Sequence, residues 1–379
     1  MNFESLPPLS LYIHIPWCIR KCPYCDFNSH EGSPDEEAYV SALTRDVETF
    51  LPEIWGRRVA SVFFGGGTPS LMSPRSIESI MADMRARLRL DPEAEVTLEA
   101  NPGTFEYEKF AAFRDAGINR LSIGIQSFND RHLAALGRIH DGKQACIAVE
   151  MALKHFGNVN LDLMYALPGQ SMEEAGMDFA RAIAFDPPHI SAYHLTIEPN
   201  TLFHKHPPAL PDEDMAFEMQ DRVEEALASY EHYETSAFAR AGMHCRHNCN
   251  YWEYGDYIGI GAGAHSKITL PGTRIRRQVR SKHPRDYIEK MLSGSAIGEG
   301  GDVAVEDIPF EFMMNALRLN GGFPLRLFEE RTGLSRVTIL PQLDQAERMG
   351  FISRDHTRVA PTLHGRRFLN ELLQIFLPS

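Results

Sequence analysis

The sequence predicts an α/β protein: a parallel sheet with a helix after each strand fills its first half, and a mainly helical unit closes the chain. Three observations carry this. Six strand-like apolar runs, at 10–15, 59–64, 94–100, 118–125, 158–167 and 189–196, alternate with helix-like segments around 35–55, 74–90, 105–116, 141–156 and 171–185. Side chains with chemistry to offer collect just after those runs, where parallel sheets hold their ligands. From residue 302 the apolar spacing turns helical. A closed eight-stranded barrel would need two more units, and none is visible before the pattern changes after residue 198.

The first run leads into LYIHIPWCIRKCPYCDFNSH, where Cys18, Cys22 and Cys25 stand in a C-x3-C-x2-C spacing. Three thiolates this close can converge on one metal centre. Iron–sulfur cubanes usually take four, so three imply a distant fourth ligand or one iron left open for an exchangeable group. A structural zinc completed by His14 or His30 is the blander alternative, but zinc pairs are usually matched by a second pair, which is missing nearby.

Gly65-Gly66-Gly67-Thr68-Pro69 follows the second run, and consecutive glycines permit close backbone approach. It lacks the GxxxxGK[ST] pattern of a nucleotide triphosphate loop. The third run ends at Glu99, a carboxylate able to pair with an ammonium or accept from ribose hydroxyls. After the fourth come Gln126 and then Arg138, whose guanidinium is a fork for a carboxylate. In the fifth, alternation places Asn160 and Asp162 on one face, opposite Leu161 and Leu163. Tyr193 and His194 end the sixth; a satisfied core-edge histidine and a substrate-facing one stand there as equal alternatives.

The cysteine spacing, with Tyr24 directly before Cys25, resembles the signature of the radical-SAM superfamily, and the flanks LYIHIPW and CDFNSH resemble its coproporphyrinogen-oxidase-like branch. The resemblance implies a [4Fe-4S] cluster held by Cys18, Cys22 and Cys25, with the fourth iron chelated by S-adenosylmethionine. It implies an open (β/α)6 partial TIM barrel, which composition alone does not decide. It places Tyr12 near the methionine end of the cofactor, Tyr24 beside the adenine, and Gly66, Gly67 and Thr68 of GGGTP at the methionine ammonium. Glu99, Gln126, Arg138 and Asp162 are implied as further cofactor contacts. Ala166 stands where the branch usually has glycine before LPGQ.

A second informative stretch runs from Met243 to Trp252. Cys245 and Cys249 with His244 and His247 form only a weak metal pattern. His247-Asn248-x-x-Tyr251 resembles the HNxxY motif of the heme-chaperone group in this branch, implying a heme-binding role for His247, with Tyr251 and Trp252 supplying aromatic area. Three departures from the oxidase point the same way: Phe27 replaces its further cysteine, few residues precede Tyr12, and HNxxY is present. The expectation is a heme chaperone that passes heme to an acceptor protein, with a membrane-associated respiratory protein as one candidate class, and that draws on an electron donor. Oxygen-independent coproporphyrinogen oxidase and a non-enzymatic iron–sulfur module remain the alternatives, and a homodimer is left open.

The net charge of −13 argues against a nucleic-acid partner. The first residues lack a signal-peptide pattern, no apolar run approaches a membrane span, and six cysteines suit a reducing compartment, so a cytoplasmic location is expected. Three regions follow: 1–200 as the barrel, 201–301 as a crossover and heme-motif extension ending in GDYIGIGAGAHSK, and 302–379 as a helical, winged-helix-like domain with FISRDHTRVAP as its hairpin. Residues 321–379 carry eight Lys or Arg against six Asp or Glu, too balanced for a DNA-binding surface.

Overall fold

The computed structural model describes residues 3–270 and 274–378, with the side chains at 104 and 105 left aside. Strands β1 (Leu9–Ile15), β2 (Arg58–Gly66), β3 (Arg89–Ala100), β4 (Arg120–Gln126), β5 (Val159–Tyr165) and β6 (His189–His194) pair in chain order, every neighbour parallel. Because the order never reverses, right-handed crossovers put each connecting helix on the same side, and the sheet curls around the other. The helices Glu36–Ile54, Pro74–Arg87, Gly142–His155 and Met172–Ala184 form that outer layer. The result is the open (β/α)6 partial barrel.

Strand alternation separates two environments. Leu121, Ile123 and Ile125 of β4 and Leu161 and Leu163 of β5 are buried in the main apolar core, while Arg120, Ser122, Gly124, Gln126, Asn160 and Asp162 line the hollow of the barrel. The interior is therefore polar. An interior of this kind leaves room for a ligand, where a filled barrel would stack apolar side chains.

Both ends of the sheet are extended, giving twelve strands in all. A hairpin of β7 (Glu231–Glu234) and β8 (Ala237–Ala239) runs antiparallel to β6. On the other side β9 (Asp256–Ile260) pairs parallel with β1. A meander of β10 (His265–Leu270), β11 (Arg274–Arg280) and β12 (Ile297–Asp302) continues outward. A seventh parallel strand thus exists beyond the six read from the sequence. It lies in GDYIGIGAGAHSK, for which the family resemblance implies a final extended segment, and a Cβ at Gly259 would lie 2.0 Å from the carbonyl oxygen of His265, so glycine is needed there. The helix expected over 105–116 is broken into Thr104–Tyr107 and Phe110–Asp115, and a short helix, Asp130–Ala135, capped by Asn129, was not signalled.

The C-terminal unit packs helices Ile308–Ala316, Leu325–Thr332 and Leu340–Arg348 against a hairpin of Ile352–Arg354 and Arg358–Pro361, with Phe323–Pro324 as a third strand. Its core around Phe312, Phe328 and Leu343 takes in Tyr254 and Ile275, so this unit is seated on the segment that precedes it.

Candidate functional site

The barrel encloses a cavity of about 520 Å³ whose wall includes the residues expected at the cluster and cofactor and the expected heme ligand: Tyr12, Cys18, Cys22, Tyr24, Cys25, Gly66, Gly67, Thr68, Glu99, Gln126, Arg138, Asp162 and His247. The three cysteines are free thiols on the loop after β1. Two-residue strands, Trp17–Cys18 and His30–Glu31, pair in parallel and pin both ends of that loop. Thr68 Oγ1 donates to Cys18 Sγ at 3.5 Å and Arg138 Nη1 to Cys22 Sγ at 3.6 Å. The donors that surround these sulfurs suit thiolate ligands, because they stabilise negative charge on sulfur. His14 is committed elsewhere, with Nδ1 3.1 Å from the Tyr12 hydroxyl and Nε2 2.8 Å from the Asn28 carbonyl.

The glycine loop is shaped by close approach. Gly66 has φ +112, and a Cβ there would come within 2.5 Å of the His14 ring; one at Gly67 would come within 2.5 Å of the Trp17 carbonyl. The amide of Gly66 donates to Glu99 at 3.2 Å, that of Gly67 to Ile15 at 2.8 Å, and that of Thr68 to Trp17 at 2.7 Å. With those donors engaged, the loop has carbonyl oxygens to offer a ligand, which suits an ammonium rather than a phosphate.

Glu99 and Asp162 both line the hollow. Burial, reinforced by Asp162, pushes the Glu99 carboxyl up to about 8, and burial also raises Asp162 despite bonds from Ser122 at 2.9 Å and Asn160 at 2.8 Å. A cationic ligand group would lower both and favour their ionised forms. Arg138 is held rigidly, its Nη2 donating to Asn101 at 2.6 Å and to the Gly124 carbonyl at 2.8 Å. Gln126, φ 67, and Ala166, φ 57, both sit in the left-handed region just where β4 and β5 end. At Ala166 that conformation costs of order 1 kcal/mol, the physical reason glycine suits the position.

His247 is buried in the wall, with Nδ1 3.0 Å from Ser61 Oγ and Nε2 2.9 Å from the Tyr251 hydroxyl. Burial, then the nearby Arg120 charge, lowers its pKa to about 3, so the ring is neutral. Its helix, Arg246–Trp252, has its first amides received by Glu95, which accepts from Arg246 N at 3.2 Å and His247 N at 3.1 Å. Tyr251 also lines an adjoining cavity of about 470 Å³ with Trp252, Tyr254, Tyr257, His265 and Arg277, and the two cavities share Tyr12 and Glu99. Cys245 is buried at this helix start, Sγ 3.7 Å from Glu95. Neither Cys245 nor Cys249 reaches either cavity.

Arg120, Glu95 and Asn101 escaped the sequence reading. The signal available for Arg120 was the alternation R-L-S-I-G-I-Q over 120–126, which puts the arginine on the same face as Ser122 and Gln126.

Comparison with known proteins shows the family and the fold. Residues 12–180 match the radical SAM superfamily and residues 303–368 the HemN C-terminal domain. The heme chaperone HemW of Escherichia coli (strain K12) is 48% identical over 98% of this chain and 99% of its own length, and that of Haemophilus influenzae is equally similar over the same shares. The Bacillus subtilis (strain 168) heme chaperone HemW is 35% identical over 97% and 99%. Among solved structures, coproporphyrinogen III oxidase (HemN) from Escherichia coli, a radical SAM enzyme, superposes with a TM-score of 0.82 at 23% identity, over 98% of this chain and 90% of that one.

Proposed function

The chain belongs to the HemW family of heme chaperones within the radical-SAM superfamily, and from that membership we propose that it binds heme and hands it to an acceptor protein. The observation that carries the proposal is full-length similarity to curated heme chaperones, joined to an HNxxY helix whose Tyr251 stands between the two cavities.

Cys18, Cys22 and Cys25 are the proposed ligands of a [4Fe-4S] cluster, and S-adenosylmethionine the proposed ligand of its open iron. When bound, this pair supplies reducing chemistry at the cofactor's sulfonium. The chain's own part is to bind and orient. Tyr12 and the carbonyls of the GGGTP loop border the methionine end, Glu99 and Asp162 offer charge to its cationic groups, and Tyr24 flanks the adenine. Gln126 and Arg138 are proposed as further contacts, with Arg138 set against Cys22. An electron donor is the implied partner of that chemistry. No helix among the described residues is long and apolar enough to cross a membrane, and a cytoplasmic location is part of the proposal.

For heme, His247 in the wall of the barrel cavity is the proposed iron ligand, and the adjoining cavity across Tyr251 offers further aromatic area from Trp252, Tyr254 and Tyr257. Ligation requires the bond from Nε2 to the Tyr251 hydroxyl to open. Anaerobically reconstituted protein titrated with heme should therefore show binding near one equivalent, with a changed axial-ligand spectrum in His247→Ala and a retained one in His244→Ala. Identical spectra in wild type and His247→Ala would remove His247 as ligand; no stoichiometric binding by the wild type would remove the chaperone reading. Cys22→Ser should lose the iron–sulfur chromophore and Cys245→Ser keep it, since Cys245 lies outside the cavity.

The fold shared with the oxidase carries the second reading, decarboxylation of coproporphyrinogen III. Phe27, at the mouth of the cavity and 59% exposed, stands where that enzyme has a cysteine. Multiple anaerobic turnovers to protoporphyrinogen IX would favour this reading over the chaperone.

A further inference from the structure

We propose that Arg120, on the floor of the barrel cavity, is an anchor for a carboxylate of a ligand other than the S-adenosylmethionine at the cluster. Arg120 begins β4 and is only 2% exposed, yet it lines the cavity. Its Nε is buried without a hydrogen-bond partner, and its guanidinium joins no ion pair among the described residues. The other fully buried cations are matched: Arg280 meets Asp46 at 2.7 Å and Lys267 meets Asp256 at 3.1 Å.

The groups around Arg120 are already occupied with one another. Glu95 accepts from two backbone amides of the HNxxY helix. Asn160 bridges Ser122, Asp162 and His189 Nδ1, and His189 Nε2 meets the Tyr233 hydroxyl at 2.8 Å. Glu95 and Asp162 act on the guanidinium through space only. A buried guanidinium without hydrogen bonds is costly, and a planar fork facing a cavity is matched in shape by a carboxylate.

The cluster-bound cofactor cannot supply that carboxylate. Its single carboxylate would be taken up, with its amino group, in chelating the open iron at the cysteine loop, at the carboxyl ends of the strands, whereas Arg120 starts β4 at the opposite end. The carboxylate then comes from a propionate of a porphyrin, which rests on the heme-chaperone reading, or from a second molecule of S-adenosylmethionine.

The test compares heme with its dimethyl ester, in which both propionates are blocked, on the reconstituted wild-type protein and on Arg120→Gln and Arg120→Lys. The iron–sulfur chromophore and circular dichroism report folding. If the anchor takes a propionate, the wild type binds the ester about tenfold to a hundredfold more weakly than heme, the range expected for losing charge-assisted hydrogen bonds. Arg120→Gln then erases that difference. If it takes a second cofactor, Arg120→Gln lowers the S-adenosylmethionine stoichiometry and leaves heme affinity unchanged. Equal binding of heme and ester by the wild type, with S-adenosylmethionine stoichiometry unchanged in a folded Arg120→Gln, overturns the proposal while leaving the chaperone reading intact. If the variants do not fold, equal wild-type binding of heme and ester, together with a single S-adenosylmethionine per wild-type chain, overturns it alone. A wild type that binds no heme defeats the chaperone reading; the cofactor stoichiometry then decides the anchor.

Discussion

Glu99 shows how the site's chemistry is written into a single side chain. Its carboxyl is raised from the usual range to about 8 by burial and by Asp162. A carboxyl whose folded pKa exceeds its unfolded one, about 4.3, contributes stability that is fully present below the unfolded value and is lost as pH rises through the folded one. The ligand-free protein should therefore lose stability between about pH 5 and 8, by at most about 1.4 kcal/mol per pH unit from this group. Urea unfolding of Glu99→Gln across that range should be flatter than the wild type. Saturating S-adenosylmethionine should flatten the wild-type profile as well, because its positive charge favours ionised Glu99. A Glu99→Gln profile parallel to that of the wild type would place the dependence elsewhere.

At the scale of the element, the helix Arg246–Trp252 depends on a carboxylate from another strand. Its own N-cap residue, Cys245, gives no side-chain cap. Glu95 on β3 fills that place through Arg246 N and His247 N, and so sets the helix that points His247 at Ser61 and Tyr251. Glu95→Ala should destabilise the protein by about 2–3 kcal/mol, the range for charge-assisted hydrogen bonds lost from a buried group. It should also weaken heme binding in step with His247→Ala. Glu95→Gln, which keeps an acceptor oxygen without the charge, should recover part of both. Heme affinity unchanged in a destabilised Glu95→Ala would separate this helix from heme binding.

For the whole molecule, two buried ionic joints lock the 201–301 segment to the barrel. Asp46, on the helix after β1, forms an ion pair with Arg280 at 2.7 Å and accepts from Tyr287 and the Gly261 amide. Asp256, at the start of β9, receives Arg57 at 2.8 Å, Lys267 at 3.1 Å and both the amide and hydroxyl of Thr269 at 2.9 Å. Lys267→Met should cost about 3–5 kcal/mol, because it leaves buried negative charge less compensated. Lys267→Met combined with Asp256→Leu should regain part of that loss, and chemical denaturation should show one transition for the barrel and the extension together. Two separated transitions would mean the segment is not part of the barrel's cooperative unit.

The sequence by itself determined the local terms. The alternation L-S-I-G-I and N-L-D-L assigns each strand residue to a face, the cysteine spacing sets three thiols on one loop, and the breaks at glycine and proline place most helices. Those signals are short-range, so they survive without knowledge of the partner. What only the tertiary structure decided is which distant groups meet. DYIGI becomes a parallel strand only beside β1, and RIRRQVR becomes a strand only because Lys267, Asp46 and Glu311 surround it with partners across the sheet and from other helices. Arg120 reads in sequence as one charge at a strand start. Its isolation at the bottom of a polar cavity arises because Glu95 has been drawn to a helix that begins 151 residues later, a pairing set by the closure of the barrel and by no local preference of the chain.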